Sequence, residues 1–198
     1  MDRNLALELV RVTEAAALAS ARFFGKGDPT AADAAAVGAM ELAIRGVKIT
    51  GHIVIGEERL SASSRLCAGD TVGTCEEPEV DVALDPLDCI DSVADGQANA
   101  VSAIALGPRG AFRNFAAPRM DKIAVDGEAA EAIDLEASVF DNLVAIAQSK
   151  RIYVEDLTVA ILDRQRHRGL IEEVRRAGAR IELLRSGDLA AAIAAALP

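Results

Sequence analysis

The chain has 198 residues, enough to bury a real core as one domain or as one domain with a partial second. Its net charge of −10, from 21 basic and 31 acidic residues, argues against general nucleic-acid binding, which needs a basic footprint. The composition is 51% hydrophobic with no Trp and one Tyr, so Ala, Val, Leu and Ile must build the core, yet no uncharged apolar window approaches the ~18 residues of a membrane span. Met1-Asp2-Arg3-Asn4 leads straight into an amphipathic pattern rather than a signal peptide, and a cytoplasmic location with no membrane partner is expected.

Residues 4–24 predict a helix from apolar positions at mixed three- and four-residue spacing, stopped by Gly25-Lys26-Gly27. A second helix follows to about Val47, with Asp28 or Thr30 as N-cap and Pro29 acceptable at the first position. Asp33 lies near its start, as a dipole-matching acid or as a site residue. Gly51 to Glu57 is a short β-run between breakers, and residues 60–79 read as irregular. Val80-Asp81-Val82-Ala83-Leu84-Asp85 is a buried-looking strand, after which a turn at Pro86 presents Asp88. Ala98 to Leu106 is a further strand ending at Gly107-Pro108, and Lys122 to Val125 a short one.

From there helices alternate with strands. Asp134 opens a helix to about Gln148, Leu157–Leu162 is a strand, and His167–Ala177 is a charged helix. Arg180–Leu184 is a strand, and Gly187-Asp188 caps an Ala-rich helix. This alternation means βαβ units and a parallel sheet. The expected division is an α+β domain over 1–130 and a partial α/β domain over 131–198. A parallel sheet of two strands is weak alone, so a homo-oligomer or a partner chain is expected to cover it.

Four acids stand out: Asp33, Glu57, Asp85 and Asp88. Glu57 and Asp85 end neighbouring runs, and acids at the C-terminal ends of strands converge on the sheet edge where α/β folds place their sites. Singly each is an ordinary surface acid. Together they suit hard divalent cations that activate a water for attack on a phosphoryl group. Arg164 and Arg166, next to a helix start, fit a phosphate grip or a solvated turn. Asp188 fits sugar hydroxyls or a helix cap. Cys67, Cys75 and Cys89 lack metal-type spacing and read as reduced thiols. No Ser-His-Asp elbow, P-loop or dinucleotide fingerprint is present.

These residues resemble the class II, GlpX-type fructose-1,6-bisphosphatases of the metal-dependent, lithium-sensitive sugar phosphatase superfamily. The likeness is carried by Arg11 to Ala16, Gly27-Asp28 with Ala32-Asp33, Ile53 to Glu57, Asp85-Pro86, Gly96 to Ala100, Asp141-Asn142-Leu143, Leu157-Thr158-Val159, Arg166-His167 and Gly187-Asp188. It implies a layered α/β (α+β) sugar phosphatase fold with an incomplete second sheet. It also implies Mg²⁺ or Mn²⁺ held by Asp33, Glu57, Asp85 and Asp88, with Asp33, Asp85 and Asp88 serving catalysis. Hydrolysis of the 1-phosphate of fructose 1,6-bisphosphate, or of a related sugar bisphosphate, would serve gluconeogenesis or glycerol metabolism. Arg164, Arg166, Asp188 and Arg119 would contact the sugar phosphate.

The chain departs from the family at its signature. Where the family has Asp-Pro-(Ile/Leu)-Glu-Gly-Thr, Asp88, Cys89 and Ile90 replace Glu, Gly and Thr. Pro29 replaces Lys, Arg59 an acid, Arg119 Tyr, Ser186 Asp and Arg164 Lys, and family members continue through a further acid-bearing segment. A catalytically impaired homologue that binds metal or sugar phosphate, or a subunit needing a partner, is the alternative expectation.

Overall fold

The structure is a computed structural model that describes residues 5–114 and 119–197. It divides into two compact units, Met1–Ala116 and Ala117–Pro198. The division falls earlier than the expected 130/131 boundary. Asp126 pairs with Lys150, and Ser149 Oγ donates to the Glu128 carbonyl, which ties the residues before 131 to the second unit.

The first unit opens with α1 (Leu5–Ala21) and α2 (Pro29–Ile44). Asn4, the first residue of the expected helix, lies outside the described residues. Asp28 caps α2 by accepting the Ala31 N–H at 2.9 Å, and Pro29 takes the first helical position, where no N–H is needed. The buried stripe of α2 is Ala32, Ala36, Met40 and Ile44, four residues apart, and α1 meets it with Val12 and Ala16. The alanines let the helices approach closely, while Met40 and Ile44 supply most of the apolar burial, about 2–3 kcal/mol each.

Beneath the helices lies a four-stranded sheet in the order β2-β1-β3-β4, with β1 at Thr50–Ile55, β2 at Thr71–Val72, β3 at Glu79–Asp88 and β4 at Val101–Pro108. β1 and β3 are parallel neighbours and the other pairs are antiparallel. Val80, Val82 and Leu84 alternate into the core, the pattern of a strand with one face under helices. Three expectations need correction. Residues 60–79 are not wholly irregular, because Thr71-Val72 adds an edge strand to β1. The strand does not stop at Asp85 but continues through Pro86 to Asp88 across a register shift, and an unregistered bulge is the one interior place where a missing N–H is tolerated. The strand expected from Ala98 to Leu106 is shifted: β4 begins at Val101 and takes in Gly107 and Pro108, the proline as the last residue of a sheet-edge strand.

In the second unit, β5 (Thr158–Leu162) and β6 (Arg180–Leu184) form a parallel pair joined by α5 (Arg168–Ala177). Its core is Leu143, Ile161, Ile171, Val174 and Ala179. The helix α4 spans Val139–Ser149, not a stretch opening at Asp134. The Asn142 side chain accepts the Asp134 N–H at 2.9 Å and donates to the Asp134 carbonyl at 2.8 Å, which holds residues 134–138 as a turn. Ser138 then caps the helix by accepting the Asp141 N–H. Lys122–Val125 is not a strand. The last helix, α6 (Asp188–Ala196), buries no residue completely.

Candidate metal centre

The parallel pairing of β1 with β3 brings their C-terminal ends to the same edge of the sheet. Glu57 follows β1 by two residues. Its N–H donates to the Leu66 carbonyl at 2.9 Å, and it bridges to Cys67. Gly56 makes this possible, since a Cβ there would run into the Leu66 carbonyl oxygen. Asp85 lies just before the β3 register shift, with its Oδ1 accepting the Leu87 N–H at 3.1 Å, and Asp88 closes the strand beyond it. Asp33 joins from the start of α2, one residue along from the buried Ala32.

The electrostatics show that these side chains share a neighbourhood. Burial raises the Asp33 carboxyl above its ordinary value. Burial, the Asp88 charge and more weakly the Asp33 charge raise Asp85, against the Leu87 hydrogen bond. Burial and then the charges of Asp33 and Asp85 push Glu57 up to about 7. None of the ion pairs among the described residues takes up Asp33, Glu57 or Asp85. Half-buried carboxylates raised by burial and by neighbouring acids, with no basic partner among the described residues, mark a functional site more than a structural one. The donors are all oxygens, which fits a hard cation. Among the described residues, however, no three His, Cys, Asp or Glu side chains close to a ligating group as they stand. The set fits in chemistry and in neighbourhood, not as a finished coordination shell.

Of the three signature departures, Cys89 and Ile90 have distinct structural consequences. Cys89 adopts a left-handed backbone (φ 68, ψ 52), the conformation glycine takes freely and other residues adopt at a cost of about 1–2 kcal/mol. Its side chain is buried, and the thiol donates to Asp88 Oδ2 at 3.6 Å. Ile90 begins the short helix α3 (Ile90–Ala94) and packs against the apolar core. Arg59, two residues beyond Glu57, is bonded to Asp70, whose second oxygen accepts the Cys67 N–H at 2.9 Å. All three cysteines are free thiols.

In the second unit, the parallel β5 and β6 bring Arg164, Arg166 and Asp188 to one sheet edge, in the turns that follow the two strands. Arg164 donates to the Asp163 carbonyl at 3.1 Å, and the neighbouring His167 ring bonds the Leu162 carbonyl through Nδ1 at 2.8 Å. Asp188 is the first residue of α6, and the N-cap is Gly187 in a left-handed conformation, which has no side chain to cap the helix. Arg119 is exposed in an irregular segment. The acid centre therefore belongs to one unit and the basic edge to the other.

Sequence reasoning passed over one carboxylate that the structure singles out. Asp81 is buried in β3 and takes Arg109, the Gly110 N–H at 2.7 Å and the Phe112 N–H at 3.3 Å. Its position inside an alternating strand was the available signal, because an acid there must find partners across the sheet.

A layered α/β protein with acids gathered at the edge of a parallel strand pair has the build of a sugar phosphatase. A family model described as bacterial fructose-1,6-bisphosphatase, glpX-encoded, matches residues 3–198, and the chain belongs to that family. It is 40% identical over 198 residues to fructose-1,6-bisphosphatase 1 class 2 of Escherichia coli (strain K12), and equally to the class 2 enzyme of Shigella flexneri. The matches cover 100% of this chain and 59% of each relative, so the chain spans somewhat over half the length of the curated proteins it resembles. Among the described residues, no helix is long and apolar enough to cross a membrane.

Proposed function

We propose that this chain serves the metal-dependent hydrolysis of the 1-phosphate of fructose 1,6-bisphosphate, or of a related sugar bisphosphate. The observation that carries the reading is the gathering of acids at the β1/β3 edge, where burial raises Asp33, Glu57 and Asp85 and the Asp33 charge further raises Glu57 and Asp85. Asp33, Glu57, Asp85 and Asp88 would hold Mg²⁺ or Mn²⁺, which supplies Lewis-acid activation of the phosphoryl group and of water.

The chain's own residues do the rest. The carboxylates take the cation's charge, and their raised pKa values are relieved as they do so. The hydrogen bond from the Leu87 N–H to Asp85 Oδ1 fixes one carboxylate rotamer. The Leu66 carbonyl anchors the backbone of Glu57. The resemblance assigns Arg164, Arg166, Asp188 and Arg119 to the sugar phosphate, the arginines as charge-assisted donors to a phosphate. A cytoplasmic homo-oligomer, or a complex with a partner chain, is part of the proposal. It is supported by the two-stranded second sheet and by the poorly buried α6.

A second reading is favoured by one observation. Ile90 is spent on the core where the family pattern has a hydroxyl. Loss of a positioning hydroxyl costs about 10²–10⁴ in rate, which would leave a homologue that binds metal or sugar phosphate with little turnover. One experiment separates the readings. The enzyme reading expects Mn²⁺- or Mg²⁺-dependent phosphate release from fructose 1,6-bisphosphate that Asp85→Asn abolishes. Measurable Mn²⁺ binding with no release from any sugar bisphosphate would leave the binding homologue. Absence of Mn²⁺ binding would sink both.

A further inference from the structure

The outward face of α1 carries a pattern that the packing of the first unit does not use. Val12, Ala16 and Ser20 lie on its buried side. Opposite them, in steps of four, three and four residues, stand Leu7, Arg11, Glu14 and Leu18. At 3.6 residues per turn the four fall within about 60° of one another, on one line along the helix. Leu7 is 60% exposed and Leu18 72%, with the exposed Arg11 and Glu14 between them. Leucines on the solvent side of an amphipathic helix, where polar residues belong, are out of place in a solitary chain. The spacing is that of a coiled-coil seam, with Leu7 and Glu14 at d positions and Arg11 and Leu18 at a positions.

The two charges in the seam are not spent inside the molecule. None of the ion pairs among the described residues takes up Arg11 or Glu14. A basic residue before an acid along a helix is also the less favourable order for a pair within that helix. The seam is instead its own complement. Reversing α1 about the point between Val12 and Thr13 lays Leu7 on Leu18 and Arg11 on Glu14. A two-fold axis at that point therefore makes two leucine contacts at the ends and two opposite-charge contacts in the middle, the self-complementarity that a two-fold interface needs. A parallel copy would set Arg11 on Arg11 and Glu14 on Glu14, so the charges select the antiparallel orientation.

We propose that two copies of this chain pair antiparallel along α1, with Leu7 against the partner's Leu18 and Arg11 against the partner's Glu14. Chains of net charge −10 repel one another, and local charge matching in the seam offsets that repulsion. One helix on one helix is a small interface, so a dissociation constant of roughly 10–100 μM is expected. The seam belongs to the first unit, so the pairing depends neither on the second-unit surfaces behind the assembly proposed above nor on the catalytic reading.

The test is sedimentation equilibrium of the full chain over about 1–300 μM, which spans the expected constant. A reversible monomer–dimer equilibrium is expected. Arg11→Glu and Glu14→Arg each set like charges across the seam and should weaken it at least about tenfold. An equimolar mixture of those two variants should associate again, because an all-acidic seam then meets an all-basic one. Leu18→Glu should abolish the dimer. Every substituted side chain is exposed, so the variants should keep the parent's melting temperature. A parent that stays monomeric throughout would overturn the proposal. Association untouched by both charge reversals would place the contact on another surface and overturn it too, as would a mixture that fails to recover what each variant has lost.

Discussion

Two aspartates on one strand, four positions apart, have opposite electrostatic fates. At Asp81 burial alone would raise the carboxyl, but the Phe112 N–H, the Arg109 guanidinium and the Gly110 N–H together hold it below the usual carboxylate range. At Asp85 burial acts in the same direction, and the nearest influences are other acids, so the carboxyl is raised. Asp81 is a structural group that pins the turn after β4 onto the sheet. Asp85 has no basic partner among the ion pairs of the described residues, and in the proposed reading a cation would supply that charge. The difference lies not in residue type but in what the opposite elements offer: a basic turn at one end of β3, a convergence of strand ends at the other.

The comparison can be broken by neutralising each acid in turn. The largest effect is expected for Asp85→Asn on metal-dependent phosphate release, a loss of at least ~10³-fold, in the range of removing a residue that holds transition-state charge. The same variant should melt no lower than the parent at pH 8 without metal, because it removes a repelled charge. If it melted well below the parent, the reading of Asp85 as a functional rather than structural acid would fail. Asp81→Asn should do the reverse. It leaves Arg109 facing a neutral amide, and the melting temperature is expected to fall by roughly 5–10 °C with Mn²⁺ binding little changed.

A smaller effect concerns pH. Glu57 is raised from the ordinary 4.5 to about 7, so the folded state holds its proton while the unfolded chain releases it. The stability associated with this group is fully present below about pH 4.5 and is lost as pH rises through about 7. With solvent screening at a half-exposed site, the loss is about 1 kcal/mol. Denaturant unfolding of metal-free protein at pH 5 and pH 8 should show it, and Glu57→Gln should flatten the difference. Asp81 acts with the opposite sign, since its depressed pKa contributes stability that is lost only as the pH falls into the acid range. The smallest effect is expected for Cys89→Gly. Relief of the left-handed backbone and loss of a buried thiol nearly cancel, and the unfolding free energy should shift by less than about 1 kcal/mol.

Periodicity carried most of the elements. α1, α2, β1, β4, β5, α5, β6 and α6 follow from apolar spacing and breakers, because each buries one stripe or face and the pattern is local. It failed where a side chain from elsewhere overrode the pattern. Asn142 takes the backbone groups at Asp134 and delays α4. Gly56 admits the Leu66 loop beside the strand end, a contact between segments ten residues apart. Pro86, which by local rules ends a strand, is carried inside one by a bulge against β4.

The chain itself determined the chemistry of the candidate centre: four acids, two at strand ends, and a signature loop with Cys89 and Ile90 in place of a glycine and a hydroxyl. Local order suffices for that, since a strand end and its following turn lie within a few residues of one another. Tertiary structure alone decided which acids repel and which are satisfied. The pairing of β1 with β3, the turn that brings Arg109 to Asp81, and the loop that sets Arg65 beside Arg45 and Glu41 are all long-range contacts. A carboxylate's proton affinity follows the charges and donors that folding places around it, and these are not its neighbours in the chain.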